Sequence, residues 1–230
     1  MSLINHWTPR ILRGLGRRFL PPKYRIVLEY QVAKNSRQGF QFSKLKEFGP
    51  NRGVAIDAGA NIGLFSYALS RLYQSVEAFE INPSLVNDLK RSVRKNVNVH
   101  QMGLSDHIGE STMYLPTRQG SPLVGWGSLE YSVCQVAEDH ISMNVQVVTL
   151  DSMNFADVGF IKIDVEGHEL SVLKGAEATI SRCRPDVFIE IQDSQLKNAR
   201  DFFKAHNYHE IDLSSDMHDT DNYVNYLFKA

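Results

Sequence analysis

Short apolar runs alternate with longer segments of helical periodicity along most of this chain. The apolar runs predict strands at residues 54–56, 75–80, 97–102, 160–164 and 187–191. The segments between them predict helices at residues 63–72, 83–95, 170–183 and 195–206. A polar turn between residues 208–213 and 223–228 predicts a hairpin. The pattern indicates an α/β fold whose mostly parallel sheet has helices on both faces and a C-terminal antiparallel hairpin.

The amino-terminal segment, residues 1–23, differs from this alternating region. Four arginines lie among apolar residues at near-helical spacing, and two adjacent prolines end the pattern. One interpretation is a basic amphipathic arm that contacts an anionic membrane or a partner protein. The other is a helix packed on the domain, or a loose arm weakened by glycines. Residues 24–230 then form a single domain, with a strand or short helix at 24–33 and a helix at 41–48.

Residues 111–148 are predicted to form a substrate-loop insertion, because they are long for a connection between two strands of one sheet. Residues 111–115 and 143–148 predict two further strands, with a glycine-rich stretch between them. Loops of this length often act as lids, and Trp126 and Tyr131 could stack on the apolar face of a sugar. Alternatively, Trp126 anchors the loop on the core.

The amino-acid composition limits the classes of protein to which this chain can belong. The chain has 230 residues, of which 43% are hydrophobic, and a net charge of −1, which fits one globular domain and disfavours a nucleic-acid partner. Cys134 and Cys183 are too far apart for a zinc ribbon. No secretory signal or long apolar run is visible, so we expect a cytoplasmic protein.

The first predicted strand leads into a glycine turn, Gly59-Ala60-Asn61-Ile62-Gly63, preceded by Asp57. Dinucleotide-binding folds prefer G-x-G-x-x-G, in which the middle glycine lets the backbone approach a pyrophosphate. Here Asn61 takes that middle place and the last glycine comes one residue early. The turn therefore suits a nucleotide-like ligand without a pyrophosphate, and S-adenosylmethionine is the leading candidate.

Polar residues also follow the other predicted strands, whose C-terminal ends border the ligand site in open parallel sheets. Glu80 ends the second strand, where a carboxylate can accept hydrogen bonds from both ribose hydroxyls. Ser105 and Asp106 follow the third strand and could hold the adenine edge, or form an ordinary polar turn. The fourth strand ends at Asp164 and enters a turn rich in ionisable groups.

Together these segments resemble the FkbM family of S-adenosylmethionine-dependent methyltransferases, which have the class I, Rossmann-like fold. The resemblance rests on VAIDAGANIGLFS at 54–66, EINP at 80–83, TLDS at 149–152, IKIDVEGHELSVLKGA at 161–176 and RPD at 184–186. It implies O-methylation of a hydroxyl, often on a sugar, a glycan precursor or a secondary metabolite. It also implies S-adenosylhomocysteine as the product. The implied cofactor-binding residues are Asp57, Gly59, Asn61, Gly63, Glu80, Ser105 or Asp106, and Asp164.

Methyl transfer to a hydroxyl needs collinear reacting atoms and a base for the acceptor's proton. The candidate bases are Asp164, Glu166, His168 and Glu190. Imidazole titrates near neutral pH, which favours His168, whereas a carboxylate would need a raised pKa. A divalent ion on the carboxylates is conceivable, but the spacing does not demand one, and none is predicted.

Three other functions stay open at this point. A nicotinamide-dependent enzyme is disfavoured by the glycine spacing. An amino-group methyltransferase acting on a base is disfavoured because Asp164-Val-Glu-Gly replaces the Asn/Asp-Pro-Pro-aromatic turn of such enzymes. A cofactor-binding module without catalysis is disfavoured by the full set of carboxylates at the strand ends. We expect a small-molecule or carbohydrate acceptor as partner.

Overall fold

The computed structural model describes residues 20–34, 42, 45, 53–137, 139–211 and 223–230. The helices are α1 (Pro22–Lys34), α2 (Leu64–Leu69), α3 (Pro83–Ser92), α4 (Glu169–Lys174), α5 (Glu177–Cys183) and α6 (Asp193–Ala205). The first strands are β1 (Val54–Ala58), β2 (Ser75–Phe79), β3 (Val97–His100), β4 (Gly103–Leu104), β5 (Gly109–Arg118) and β6 (Ser121–Pro122). The others are β7 (Asp139–Val148), β8 (Val158–Ile163), β9 (Asp186–Gln192), β10 (His209–Ile211) and β11 (Tyr223–Lys229).

The main sheet has seven strands in the order β10-β11-β9-β8-β1-β2-β3. Strands β3, β2, β1, β8 and β9 are parallel, while β11 runs antiparallel to both β9 and β10. The predicted sheet and C-terminal hairpin are therefore confirmed. Every residue of β8 is buried, as expected for a central strand covered on both faces.

Helices cover both faces of the sheet and bury an apolar core on each. Val172, Ile180 and Phe203, from α4, α5 and α6, pack in one core. Ala33, Leu69 and Leu89, from α1, α2 and α3, pack in the other. The helices predicted on both faces are confirmed, and residues 24–33 are part of a helix.

The prediction of one continuous helix at 170–183 is wrong, because the segment forms the two helices α4 and α5. Helix α4 ends before Gly175, where a Cβ atom would lie 1.9 Å from the Ser105 carbonyl oxygen. The Gly175 carbonyl accepts a hydrogen bond from the Asp151 amide at 2.9 Å, and the Asp151 carboxylate accepts from the Thr179 amide at 2.7 Å. Helical periodicity continues through the break, so the apolar pattern alone concealed it.

The insertion forms a second sheet with the strand order β4-β7-β5-β6. Strands β5 and β7 form an antiparallel ladder in which Met113 lies opposite Met143. Both exceed the predicted ranges 111–115 and 143–148 because the ladder runs from Gly109 to Thr117. The predicted third strand, 97–102, ends at His100, since Gly103 and Leu104 pair with β7 instead.

Most of the predicted arm at 1–23, and most of the helix predicted at 41–48, lie outside the described residues. Within the described part, α1 begins at Pro22, a first-turn position that suits proline because its missing N–H would have no helical partner. Among the helices that the structure describes, none has the length and apolar content to cross a bilayer.

Candidate active site

The C-terminal ends of the parallel strands open into a cleft with about 580 Å³ of empty space. Its apolar walls come from β2, β4 and the insertion. Its polar lining comes from the glycine turn and from the segment after β8. The lining includes Phe79, Ile81, Leu104, Val124, Leu129, Gly59, Asn61, Glu80, Asp164, Glu166 and His168. Of the predicted site residues, the structure thus brings Gly59, Asn61, Glu80, Asp164 and His168 to this cleft.

The glycine turn has the backbone that its sequence predicts. Gly59, Asn61 and Gly63 all have positive φ, at 75°, 52° and 91°. A Cβ at Gly59 would lie 1.8 Å from the Asp164 carbonyl oxygen, and one at Gly63 would lie 2.4 Å from the Leu89 side chain. Glycine is therefore required at both positions, because the turn packs directly against β8 and α3.

Glu80 faces the cleft in a fixed orientation. One carboxylate oxygen accepts the Asn61 amide and the other accepts the Asn82 amide, each at 2.7 Å. Burial raises the pKa of Glu80, and the N–H groups of Asn82 and Asn61 offset part of that rise. Each oxygen keeps a second lone pair, so the group can accept two more hydrogen bonds from a ligand.

Asp57 lies beneath the turn rather than on the cleft wall. It is fully buried, accepts a hydrogen bond from the Ser66 hydroxyl at 2.5 Å and lies 3.4 Å from the Lys162 ammonium. This geometry differs from the direct cofactor contact expected for Asp57, because the side chain is fully buried below the turn, with one oxygen bonded to Ser66 and the other facing Lys162. Sequence reasoning missed Lys162, although a lysine inside the otherwise apolar run Val158–Ile163 was a usable signal.

Four carboxyl groups gather at the ends of β8 and β9. Burial, followed by the charge of Asp164, raises the pKa of Glu190 well above its usual value, and the two side chains are hydrogen-bonded. Burial and the charges of Asp164 and Glu169 raise the pKa of Glu166 to about 7. Burial also raises the pKa of Glu169 to about 7, although the Gly167 amide donates to it at 2.9 Å. Glu190 and Asp164 therefore form a carboxyl pair in which the protonated form of Glu190 is favoured.

This carboxyl cluster predicts a stability that falls as the pH rises. Glu166 in the folded protein holds its proton to about pH 7, whereas the ordinary pKa of a glutamate is 4.5. The folded state therefore binds more protons across that window, and its free energy of unfolding falls between pH 4.5 and 7. Urea unfolding of wild type and Glu166→Gln at pH 5, 6, 7 and 8 measures this effect. The variant should lose less stability than wild type, and parallel curves would contradict the assignment.

A second cavity, with about 800 Å³ of empty space that includes open solvent, adjoins the first. Asn61, Gly59 and Asp164 line both, while Glu190 and Lys162 line the second, together with apolar side chains that include Phe65. The Asp164–Glu190 pair therefore lies where the two cavities meet. Among the described residues, no three His, Cys, Asp or Glu side chains are arranged to hold a metal ion.

His168 is bonded on both ring nitrogens. Nε2 lies 3.0 Å from the Ser105 hydroxyl and Nδ1 lies 2.7 Å from the Glu130 carboxylate. Both nitrogens are thus engaged by protein groups, which disfavours the base role expected for His168. Ser105 is fully buried, and the Asp106 carboxylate is bonded to His107 at the surface. Neither Ser105 nor Asp106 lines the cleft, so Gly103 and Leu104 take the wall position that was expected of them.

Residues 124–130, here called the cover loop, cross the top of the first cleft. The Asn61 side chain donates to the Gly125 carbonyl at 3.3 Å, and the Asn82 side chain donates to the Val124 carbonyl at 2.8 Å. The Ser128 hydroxyl donates to the Glu166 carbonyl at 2.7 Å. These three hydrogen bonds connect the cover loop to residues that follow β1, β2 and β8. The sequence predicts that this loop is a lid. It does not predict these hydrogen bonds, because their partners are distant in the chain.

The Ser128 contact can be tested without a ligand. Ser128→Ala leaves the Glu166 carbonyl and the Glu130 amide without their partner, at a cost of about 1–3 kcal/mol. The backbone pairing of Ser128 with Tyr114 is unaffected, so the fold should persist. Hydrogen exchange should become faster at residues 124–130 in this variant, whereas Ser132→Ala, at an exposed position nearby, should leave it unchanged. Equal protection in both variants would show that the contact does not hold the loop.

Solved structures with similar folds place the architecture in a known class. The crystal structure of methyltransferase FkbM from Methylobacillus flagellatus KT matches with a TM-score of 0.56 and 18% identity, over 78% of this chain and 44% of that one. A putative rRNA-methylase from Clostridium thermocellum matches with a TM-score of 0.53 and 9% identity, over 84% and 95% of the two chains. The fold is the class I, Rossmann-like fold that these methyltransferases share.

The particular family follows from the sequence match. The model of the methyltransferase FkbM domain matches residues 57–210, and the chain belongs to that family. Methyltransferase 1 of Beauveria bassiana (strain ARSEF 2860) is 25% identical in an alignment of 169 residues that covers 64% of this chain and 67% of that protein. Methyltransferase sdnD of Sordaria araneosa is 30% identical in an alignment of 160 residues that covers 56% of this chain and 62% of that protein. The match thus spans less than two thirds of the Sordaria relative.

Proposed function

We propose that this protein uses S-adenosylmethionine to methylate a hydroxyl group on a sugar, a glycan precursor or a secondary metabolite, with S-adenosylhomocysteine as the product. Membership of the FkbM family supports methyl transfer. The observation that carries the finer proposal is the Asp164–Glu190 carboxyl pair at the junction of two cavities. One cavity suits the cofactor, and the other suits an acceptor.

The first cleft fits the chemistry of S-adenosylmethionine. Glu80 offers a fixed acceptor to each ribose hydroxyl, because both of its oxygens are oriented by backbone amides. Phe79, Ile81 and Leu104 supply apolar contacts for a planar base. Gly59 leaves open the space that a Cβ would fill. When bound, the cofactor supplies an activated methyl group on a positively charged sulfur.

The carboxyl pair supplies the base that a neutral hydroxyl needs. A carboxylate of ordinary pKa is a weak base at neutral pH, whereas burial and Asp164 raise the pKa of Glu190. A cation bound at the junction favours the ionised form of Glu190, which can then accept the acceptor's proton. Asp164 shares the hydrogen bond and orients Glu190 toward the second cavity.

Exposed rings beside the cleft support a carbohydrate acceptor. Tyr114, Tyr131 and His140 contact one another edge-on or tilted, with ring centroids 5.2 to 5.9 Å apart. Tyr131 and Trp126 are 54% and 47% exposed, so their ring faces are accessible to a ligand. Such surfaces stack on the apolar face of a sugar ring.

The two cysteines, Cys134 and Cys183, are free thiols, which supports a reducing, cytoplasmic setting.

An acceptor screen tests this proposal. The purified protein is incubated with S-adenosylmethionine labelled in its methyl group and with separate pools of sugars, phenols, amines and RNA. We expect label in the alkali-stable ethers of a hydroxylated pool. Label confined to amines or RNA, or no transfer to any pool, would contradict hydroxyl methylation.

A further inference from the structure

Lys162 occupies an unusual position for a lysine, in the centre of the main sheet and below the junction of the two cavities. Lys162 is only 2% exposed to solvent. The ammonium group donates to the Gly59 carbonyl at 2.8 Å and to the Ala58 carbonyl at 3.3 Å. It also lies 3.2 Å from the Asp164 carboxylate and 3.4 Å from that of Asp57. A lysine is rarely buried to this extent unless its charge is compensated.

These contacts join the glycine turn to the carboxyl pair. The Gly59 amide donates to the Phe79 carbonyl at 3.0 Å, so the turn is held by β2 through its N–H and by Lys162 through its carbonyl. The same ammonium holds the carboxylate of Asp164, which is hydrogen-bonded to Glu190. One side chain therefore contacts both the turn that faces the cofactor cleft and the pair that faces the second cavity.

Lys162 also balances the charge of this site. Among the described residues that line either cavity, no other lysine or arginine is present. Burial alone would lower the pKa of Lys162, but the carboxylates of Asp164 and Asp57 hold it above its usual value. In return, its positive charge offsets part of the rise that burial causes in the pKa values of Glu190, Glu166 and Glu80. The lysine thus stays charged and limits proton uptake by its neighbours.

We propose that Lys162 is a positioning residue for methyl transfer, which fixes the Gly59 carbonyl for cofactor binding and keeps the Asp164–Glu190 pair able to accept a proton. This inference rests on the proposed function. The competing explanation is that Lys162 serves solely as the counter-ion of the buried Asp57. The two explanations differ in what happens when Lys162 and Asp57 are neutralised together.

The test compares wild type, Asp57→Asn and the double variant Asp57→Asn/Lys162→Met. Lys162→Met alone leaves Asp57 buried without its cation and is expected to destabilise the fold, so it serves only to measure folding. The double variant removes both charges. We expect it to fold, to bind S-adenosylhomocysteine at least about tenfold more weakly than Asp57→Asn, and to shift the acid limb of kcat upward by about one pH unit. Equal affinity and an equal pH profile in the two variants would overturn the proposal.

Two further measurements keep the outcomes separate. If the wild-type protein binds no S-adenosylhomocysteine, the proposed function has failed. Carboxyl NMR of Glu190 then still tests the effect of the Lys162 charge by itself. We expect the pKa of Glu190 to be higher in the double variant than in wild type. If the double variant does not fold, Lys162→Arg replaces it, because arginine keeps the charge but changes the hydrogen-bonding geometry. We expect weaker S-adenosylhomocysteine binding with an unshifted acid limb. Wild-type affinity in Lys162→Arg would overturn the positioning role.

Discussion

Glu190→Gln is expected to lower kcat by about 100-fold or more while leaving the affinity for S-adenosylhomocysteine within about threefold of wild type. The amide keeps the size and shape of the side chain at the end of β9 but cannot accept the proton of the acceptor hydroxyl. Glu190 lines the second cavity and is absent from the lining of the first, so cofactor affinity should change little. Single-turnover rates, combined with calorimetric affinities, separate the two effects.

Asp193→Asn is the matched control for Glu190→Gln. Asp193 begins α6, three residues along the chain from Glu190, but it is exposed and lines neither cavity. Its variant should keep the rate of wild type. A kcat for Glu190→Gln within threefold of wild type would remove Glu190 as the base, and loss of cofactor affinity instead of rate would move it into the cofactor cleft.

Glu80→Gln is expected to weaken the binding of S-adenosylmethionine and S-adenosylhomocysteine at least about tenfold, or about 1.4 kcal/mol. Both oxygens of Glu80 accept backbone amides, from Asn61 and Asn82. The glutamine NH₂ group would face one of these N–H donors, so the side chain must turn away or leave that donor unpaired. In either case the paired acceptor for the ribose hydroxyls is lost.

Glu77→Gln controls for the removal of a buried carboxylate near β2. Glu77 is 6% exposed, as is Glu80, but it pairs with His100 at 2.7 Å and with Asn98 at 2.7 Å, and it does not line the cleft. Its variant should lose stability but retain cofactor affinity. Equal affinity losses in the two variants would mean that general destabilisation, rather than a contact from Glu80, explains the effect.

The parts of the fold that the sequence predicts well are those in which local pattern and burial agree. Strands β1 and β8 are short, mostly apolar runs, and β8 is followed by Asp164, which reaches the ligand edge of the sheet. The break at Gly175 escaped prediction because it depends on close approach of the Ser105 backbone, a contact between residues distant in the chain. Local periodicity contains no information about such a contact.

The residues of the candidate site divide in the same way into those that local sequence predicts and those that it does not. The glycine turn and Glu80 could be predicted because a loop of this kind, followed by a strand that ends in a carboxylate, has a known geometric meaning. The hydrogen bonds of His168 could not be predicted, since one partner, Ser105, precedes the insertion and the other, Glu130, lies within it. The raised pKa of Glu190 likewise depends on burial beside Asp164, which only the assembled sheet creates.

Calorimetric titration of the wild-type protein with S-adenosylmethionine, S-adenosylhomocysteine and NAD(P)H tests the central claim most directly. The geometry of Glu80 and the glycine turn predicts saturable binding of both adenosyl ligands at one site per chain, with no binding of NAD(P)H. Binding of NAD(P)H alone would make the cleft a dinucleotide site and contradict the proposed cofactor. Failure to bind any of the three would contradict the assignment of this cleft as a cofactor site.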